Sequence, residues 1–187
     1  MEEAAMRRSQ KPAVVLAAIL LLSLGSGGCG RIQEPETRTV FAMDTVAVLT
    51  AYGKNAGPAL DAAVNKLFEY DDLLDIDSGD IGAINEHAGG FVEVGAEVYQ
   101  LLSDCVEYSR QTGGAFDVTV GRYVEIWGFR SQTRVPSEEE IAGAGDFVGW
   151  EKLEFADGKV KIPVGMRLDL GAAAKGWAAG QLKGVFI

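Results

Sequence analysis

TGGAFDVTVGRYVEIWGF, running from Thr112 to Phe129, is the stretch around which this chain is organised. Its Gly113-Gly114 pair follows a helical pattern, and glycine ends helices because a left-handed backbone costs it little. Asp117 then stands between Phe116 and the β-branched run Val118-Thr119-Val120, and Gly121 leads to further aromatics. Such a segment can bring backbone close to a ligand while presenting a carboxylate and ring faces. A helix cap followed by a core strand accounts for the same residues with no ligand at all, since apolar runs punctuated by glycine are common in cores.

Working outward, Val98, Leu101, Leu102, Cys105 and Val106 recur on one face, which predicts a helix over Glu97–Arg110 closed by Gly113. The same spacing reads Cys105 as a buried, inert thiol. Thr39 to Tyr52 is mostly β-branched, small or aromatic and predicts a strand broken near Met43-Asp44. Gly53 to Pro58 reads as a turn, with Pro58 opening a helix that carries Leu60, Val64, Leu67 and Phe68. Asp71 to Asn85 contains Asp71, Asp72, Asp75, Asp77 and Asp80. It lacks the glycine and terminal glutamate of an EF-hand loop, so a solvated helix end and loop is expected. His87, in a polar Asn-Glu-His-Ala-Gly-Gly loop, reads as a solvated residue rather than a general base.

Beyond the central stretch, Pro136-Ser137 followed by Glu138–Glu140 has capping-box spacing and starts a short helix. Lys152–Phe155 and Lys159–Ile162 flank Asp157-Gly158, a hairpin signal. Met166–Leu170 reads as a short apolar strand and Ala172–Leu182 as a helix. Interspersed strands and helices with at least one hairpin make the expected class α+β, a mixed sheet with packed helices.

The 187 residues, 48% of them hydrophobic, suffice for one domain with a core. A formal charge of −10 with no basic patch excludes nucleic acid as a partner. Arg7, Arg8 and Lys11 precede an apolar run from Ala13 to Leu24, short for a membrane span and suited to an export signal. Small residues then lead to Cys29, which resembles a bacterial lipobox with Ser26 where leucine is usual. Lipidation of Cys29 is the expected outcome, with ordinary secretion and an uncleaved anchor as alternatives. Residues 1–28 are thus expected to be a signal peptide, 29–38 a polar tether and 39–187 the folded part. With Cys29 acylated, Cys105 has no partner and no internal disulfide is expected.

The segment from Met166 to Gly176 has the form strand, small-residue turn, helix, with Lys175 in the first turn. Helix starts offer N–H donors and a positive dipole end, and small side chains admit a phosphate. The glycine spacing matches neither a Walker loop nor a Rossmann fingerprint, and an alanine-rich helix start is also an ordinary packing solution. Thr119 and Trp127 are expected to face inward.

GGAFDVTVG at 113–121, RLDLGAAAKGWAAG at 167–180 and AMDT at 42–45 together resemble the ApbE family, the FAD:protein FMN transferases. The resemblance runs from about Thr39 to Lys183. It implies a T-fold-related α+β domain in which Met43, Ala115, Phe116, Asp117, Asp169 and Lys175 contact FAD. It also implies that the Ala172 carbonyl helps hold Mg²⁺. An aromatic that touches the ligand in the family falls near Asp77 here, where the loop is shorter.

The implied reaction is transfer of FMN from FAD to a threonine hydroxyl of an acceptor protein, releasing AMP. Membrane redox-complex subunits are the implied acceptors, and the extracytoplasmic face of the bacterial inner membrane is the implied location. The resemblance reaches only the first half or so of the family's catalytic domain. Its later half supplies an Asp-x-x-x-Thr metal motif, so this chain is expected to be C-terminally truncated, to bind FAD weakly and to transfer nothing. The alternatives are a non-catalytic flavin-binding lipoprotein and an exported lipoprotein for another ligand.

Overall fold

A computed structural model describes residues 34–129 and 134–186. The expected signal peptide, the expected lipidation site Cys29 and residues 29–33 of the expected tether therefore lie outside the described residues.

Two strands, β1 (Glu36–Ala42) and β2 (Thr45–Ala51), form an antiparallel hairpin with Phe41 opposite Val46 and Ala42 opposite Thr45. The break expected near Met43-Asp44 is a two-residue turn, and both residues have positive φ, +54° and +57°. That is the geometry tight hairpins require, but it is normally supplied by Asn-Gly or Asp-Gly. Strand alternation turns Val40, Ala42, Ala47 and Leu49 toward helix α1 (Ala56–Leu74). Phe41, Val46 and Val48 point the other way and are exposed.

Along α1 the buried stripe is Leu60, Ala63, Leu67, Tyr70 and Leu74. Phe68, expected on that face, is instead 41% exposed, and Val64 is half-buried. The small Ala63 and the amphipathic Tyr70 occupy the inner line, which a search for large apolar residues does not find. Tyr70 meets Trp177 edge-on with ring centroids 4.7 Å apart.

The acidic stretch is not simply a solvated loop. α1 ends at Asp75, whose Oδ1 accepts from the Asp77 and Ser78 amides and the Ser78 hydroxyl. That carboxylate turns the chain into helix α2 (Gly79–Glu86). Ile76, Ile81 and Ile84 are buried there, an inward stripe masked by the density of acids.

β3 (Val92–Glu93) precedes helix α3 (Ala96–Gln111), which matches the expected helix to within a residue at each end. Cys105 on its inner face is 1% exposed, and burial pushes its thiol up to about 12, helped by nearby Asp104. Thiol reagents at pH 8 are therefore expected to leave Cys105 unlabelled in the native chain and to label it on unfolding, as followed by mass spectrometry. Labelling at full rate in native buffer would contradict this placement.

The Val118–Val120 and Met166–Leu170 segments were both expected as strands, and neither is one. They run side by side, joined by a single parallel bridge from Val120 to Arg167 and by the Asp169 amide donating to the Val118 carbonyl at 2.9 Å. The pairing stops because the chain coils into helix α4 (Gly121–Trp127) immediately afterward. Gly121 permits the crossing, since a Cβ there would sit 2.6 Å from the Arg167 carbonyl oxygen. Thr119 is fully buried as expected, whereas Trp127 is half-buried and stacks on Phe129 outside both core clusters.

Helix α5 (Glu138–Gly145) begins at Ser137 with both arms of the expected capping box. Arg134 pairs with Glu140, and this ion pair, with the Ser137 amide, holds the Glu140 carboxyl down to about 2. A depressed carboxylate pKa favours the fold above the unfolded value of about 4.3, and that contribution is lost as pH falls. Acid titration is thus expected to fray α5 between about pH 4.5 and 2, and Ser137→Ala to cost about 1 kcal/mol at neutral pH. Amide exchange of the Glu140 N–H reports both; unchanged protection in Ser137→Ala would contradict the cap.

β4 (Glu154–Ala156) and β5 (Lys159–Lys161) make the hairpin expected around Asp157-Gly158, and the three-stranded sheet runs β3-β5-β4. The last helix, α6 (Ala174–Leu182), begins two residues later than expected. The main core gathers Ile81, Ile84, Val98, Leu102, Val118, Val160, Ile162, Leu168 and Leu170, while a second cluster seats the β1–β2 hairpin on α1 and α6.

Candidate functional site

The hairpin turn, the end of α1 and the start of α6 meet at a cleft of about 120 Å³. Met43 and Asp44 enter from the turn, Asp71, Leu74, Asp75 and Ile76 from α1 and the bend beyond it. Asp169, Leu170, Gly171, Ala174 and Lys175 enter from the approach to α6. Among the described residues, four carboxylates and one ammonium surround this small polar space. Met43 is held left-handed there, a conformation that costs a non-glycine residue about 1–2 kcal/mol. Strain of this kind gathers where a side chain must be aimed at a ligand.

The helix entrance is tighter than a row of free amides. Asp169 Oδ1 accepts from the Gly171 amide at 2.8 Å, and the Ala173 and Ala174 amides both turn back onto the Leu170 carbonyl. The Lys175 side chain, on a residue exposed in the first turn of α6, adds a positive charge at this entrance.

Of the residues singled out from sequence, Met43, Asp169 and Lys175 share the cleft. Ala172 is exposed on the turn beside it but is not part of its lining. Ala115, Phe116 and Asp117 also lie outside the lining, although the Val118 carbonyl and Asp169 amide tie that segment directly to the cleft wall. Phe116 is half-buried and meets Tyr108 edge-on. Asp117 is turned inward. Its Oδ1 accepts from the Thr119 amide at 2.8 Å and the Thr119 hydroxyl at 2.7 Å, and its Oδ2 from the Trp150 amide at 3.2 Å. Thr119 Oγ1 in turn accepts from the Gly149 amide. Asp77 sits behind the cleft, paired with Arg167. His87 is exposed, its Nδ1 3.0 Å from the Ala83 carbonyl.

Sequence reasoning missed Asp44, Asp71 and Asp75 as cleft residues. Asp71 and Asp75 belong to the acidic run, read as solvated, and their inward aim depends on the chain reversal that Asp75, Ser78 and the left-handed Gly79 make. Asp44 lies in the Ala42–Thr45 stretch, from which only Met43 was singled out.

A magnesium ion is poorly served by these side chains. Among the described residues no group of three or more His, Cys, Asp or Glu side chains converges to hold a metal. The Ala172 carbonyl is one oxygen, short of the near-octahedral shell Mg²⁺ demands.

The class defined by this fold and cleft is an α+β domain whose polar site lies between a strained hairpin turn and a small-residue helix start. The ApbE family model matches residues 43–186, and the chain belongs to that family. The FAD:protein FMN transferase of Treponema pallidum (strain Nichols) is 27% identical over 187 residues, covering 89% of this chain and 51% of the relative. The FAD:protein FMN transferase of Vibrio cholerae serotype O1 is likewise 27% identical, over 88% of this chain and 51% of the relative. In three dimensions the ApbE protein of Thermotoga maritima superposes with a TM-score of 0.78 at 29% identity, over 81% of this chain and 52% of that one. The chain spans about half the length of these relatives.

Proposed function

We propose that the protein to which this cleft belongs transfers FMN from FAD to a threonine hydroxyl of an acceptor protein, releasing AMP. The observation that carries the reading is the convergence of Met43, Asp169 and Lys175 in one cleft, from parts of the chain far apart in sequence. The cleft is smaller than the ~300–1,000 Å³ that encloses a whole small-molecule ligand, so it takes one portion of the dinucleotide. Lys175 offers a point charge to the pyrophosphate, Asp169 accepts from a hydroxyl or ring N–H, and Met43 lies against a ring face.

In the reaction the threonine oxygen bonds to the phosphorus that carries the riboflavin moiety. The bond from that phosphorus to the bridging oxygen breaks, AMP leaves with the electron pair, and the hydroxyl proton passes to the leaving phosphate. Such a step asks a protein mainly to fix the phosphates and to aim the nucleophile in line. Magnesium dependence belongs to the same proposal. It rests on the family resemblance alone, since among the described residues no group of three or more His, Cys, Asp or Glu side chains converges to hold the ion. No step is assigned to the ion. Export, anchoring through a lipidated Cys29 and membrane redox subunits as acceptors complete the proposal, and they rest on the N-terminal sequence pattern and the family resemblance.

Titrating the purified chain with FAD, and following flavin fluorescence, tests the reading. Saturable binding is expected, and a folded chain that leaves the fluorescence unchanged would overturn it. Adding Mg²⁺ and a threonine peptide then separates transfer from binding. AMP release with a matching gain in peptide mass marks the enzyme, whereas binding without either marks a non-catalytic flavin protein.

A further inference from the structure

Two side chains outside the cleft hold its walls together. One wall is Asp75-Ile76, at the end of α1; the other is Asp169-Leu170, leading into α6. Asn85, on α2, donates from Nδ2 to the Ile76 and Leu168 carbonyls at 3.1 Å each. Its Oδ1 accepts from the Leu168 amide at 2.7 Å. Arg167 also reaches the Ile76 carbonyl, donating from Nη2 at 3.3 Å, and pairs with the Asp77 carboxylate. Its Nε lies 3.2 Å from Glu125 Oε1 on α4. One carbonyl on the first wall is thus gripped by two residues anchored in the second wall or bonded to it.

The chemistry of the grip is specific. A short amide carries donor and acceptor together, so Asn85 can bond both polar atoms of Leu168 and still reach Ile76. Aspartate has the same shape and, when ionised, no donor to give. Arg167 spreads its donors over a plane, so it can serve Ile76 and Asp77 at once, which a single ammonium does less well. Neither residue lines the cleft.

We propose that Asn85 and Arg167 are positioning residues for FAD, setting the distance between the Asp75-Ile76 and Asp169-Leu170 walls before the ligand arrives. The proposal rests on the FAD reading above. A cleft whose walls drift must be reassembled by the ligand, and affinity falls by that cost.

The test compares the full chain with Asn85→Asp, Arg167→Met, Arg167→Lys and the core control Val160→Ala, measuring FAD affinity by flavin fluorescence and stability by thermal melting. Asn85→Asp and Arg167→Met are each expected to weaken FAD binding about tenfold or more. Arg167→Lys is expected to fall between Arg167→Met and the unaltered chain. Val160→Ala, though less stable, is expected to bind within about twofold of the unaltered chain. If Asn85→Asp does not fold, the two Arg167 variants carry the comparison. Variants that bind as tightly as the unaltered chain would overturn the proposal, as would a control that weakens binding equally for the same loss of melting temperature. Absence of FAD binding by the unaltered chain would instead overturn the functional reading, and the proposal with it.

Discussion

Asp117→Ala is expected to destabilise the chain by about 3 kcal/mol, lowering the melting temperature by roughly 6–12 °C. The carboxylate accepts from the Thr119 amide, the Thr119 hydroxyl and the Trp150 amide, and Thr119 is fully buried. Truncation strands these donors in a place that water reaches poorly, and an orphaned buried donor costs more than the bond contributed. The Thr119 hydroxyl also receives the Gly149 amide, so the loss spreads to the loop before Trp150. Asp117→Asn keeps one acceptor and should cost less than half as much. Thermal or urea unfolding reads both. An Asp117→Ala chain that melts normally yet no longer binds FAD would move Asp117 from the scaffold to the ligand, the role the family resemblance implies for it.

The second large effect belongs to Lys175. Among the described residues it is the single cation lining a cleft that also presents Asp44, Asp71, Asp75 and Asp169. Lys175→Met keeps most of the side-chain volume and removes the charge. A charge-assisted contact to phosphate contributes about 1.5–3 kcal/mol, so FAD affinity should fall roughly 10- to 150-fold. The salt dependence of binding should flatten as well, because an exposed ammonium acting on an anion is screened by added ions. The melting temperature should barely move, since the residue is exposed. An FAD affinity within threefold of the unaltered chain, about 0.65 kcal/mol, would place the pyrophosphate elsewhere.

Much of the architecture was legible because it depends on short-range chemistry. The α3 stripe, the Ser137 capping box and the Asp157-Gly158 hairpin each encode their structure within a few residues. The α1 face was half legible, since alanine and tyrosine can stand on either side of a helix and only packing against the hairpin decides. Val118–Val120 and Met166–Leu170 misled because β-branched and apolar residues suit a strand, whereas a strand needs partners along its length. Gly121 and α4 remove those partners. At the cleft, Met43, Asp169 and Lys175 were accessible through their motifs. Asp71 and Asp75 were not, because their inward aim depends on a chain reversal made by Asp75 bonding its own neighbours. Asp117 was visible as a carboxylate in a special loop. Its inward turn is fixed by the neighbouring Thr119 amide and hydroxyl together with the Trp150 amide, and the last, more than thirty residues later, leaves no local signal.

The edge-on contact of Trp177 with Tyr70 has an optical consequence. Trp177 follows Lys175 by two positions on α6, and its indole is braced by Tyr70 on the helix that supplies Asp71. Flavins absorb where tryptophan emits, so a flavin docked at the cleft would drain excitation from that indole. If FAD docks there as proposed, occupancy is readable as a loss of tryptophan emission without any attached dye, and Trp177→Phe separates its share from that of Trp127 and Trp150.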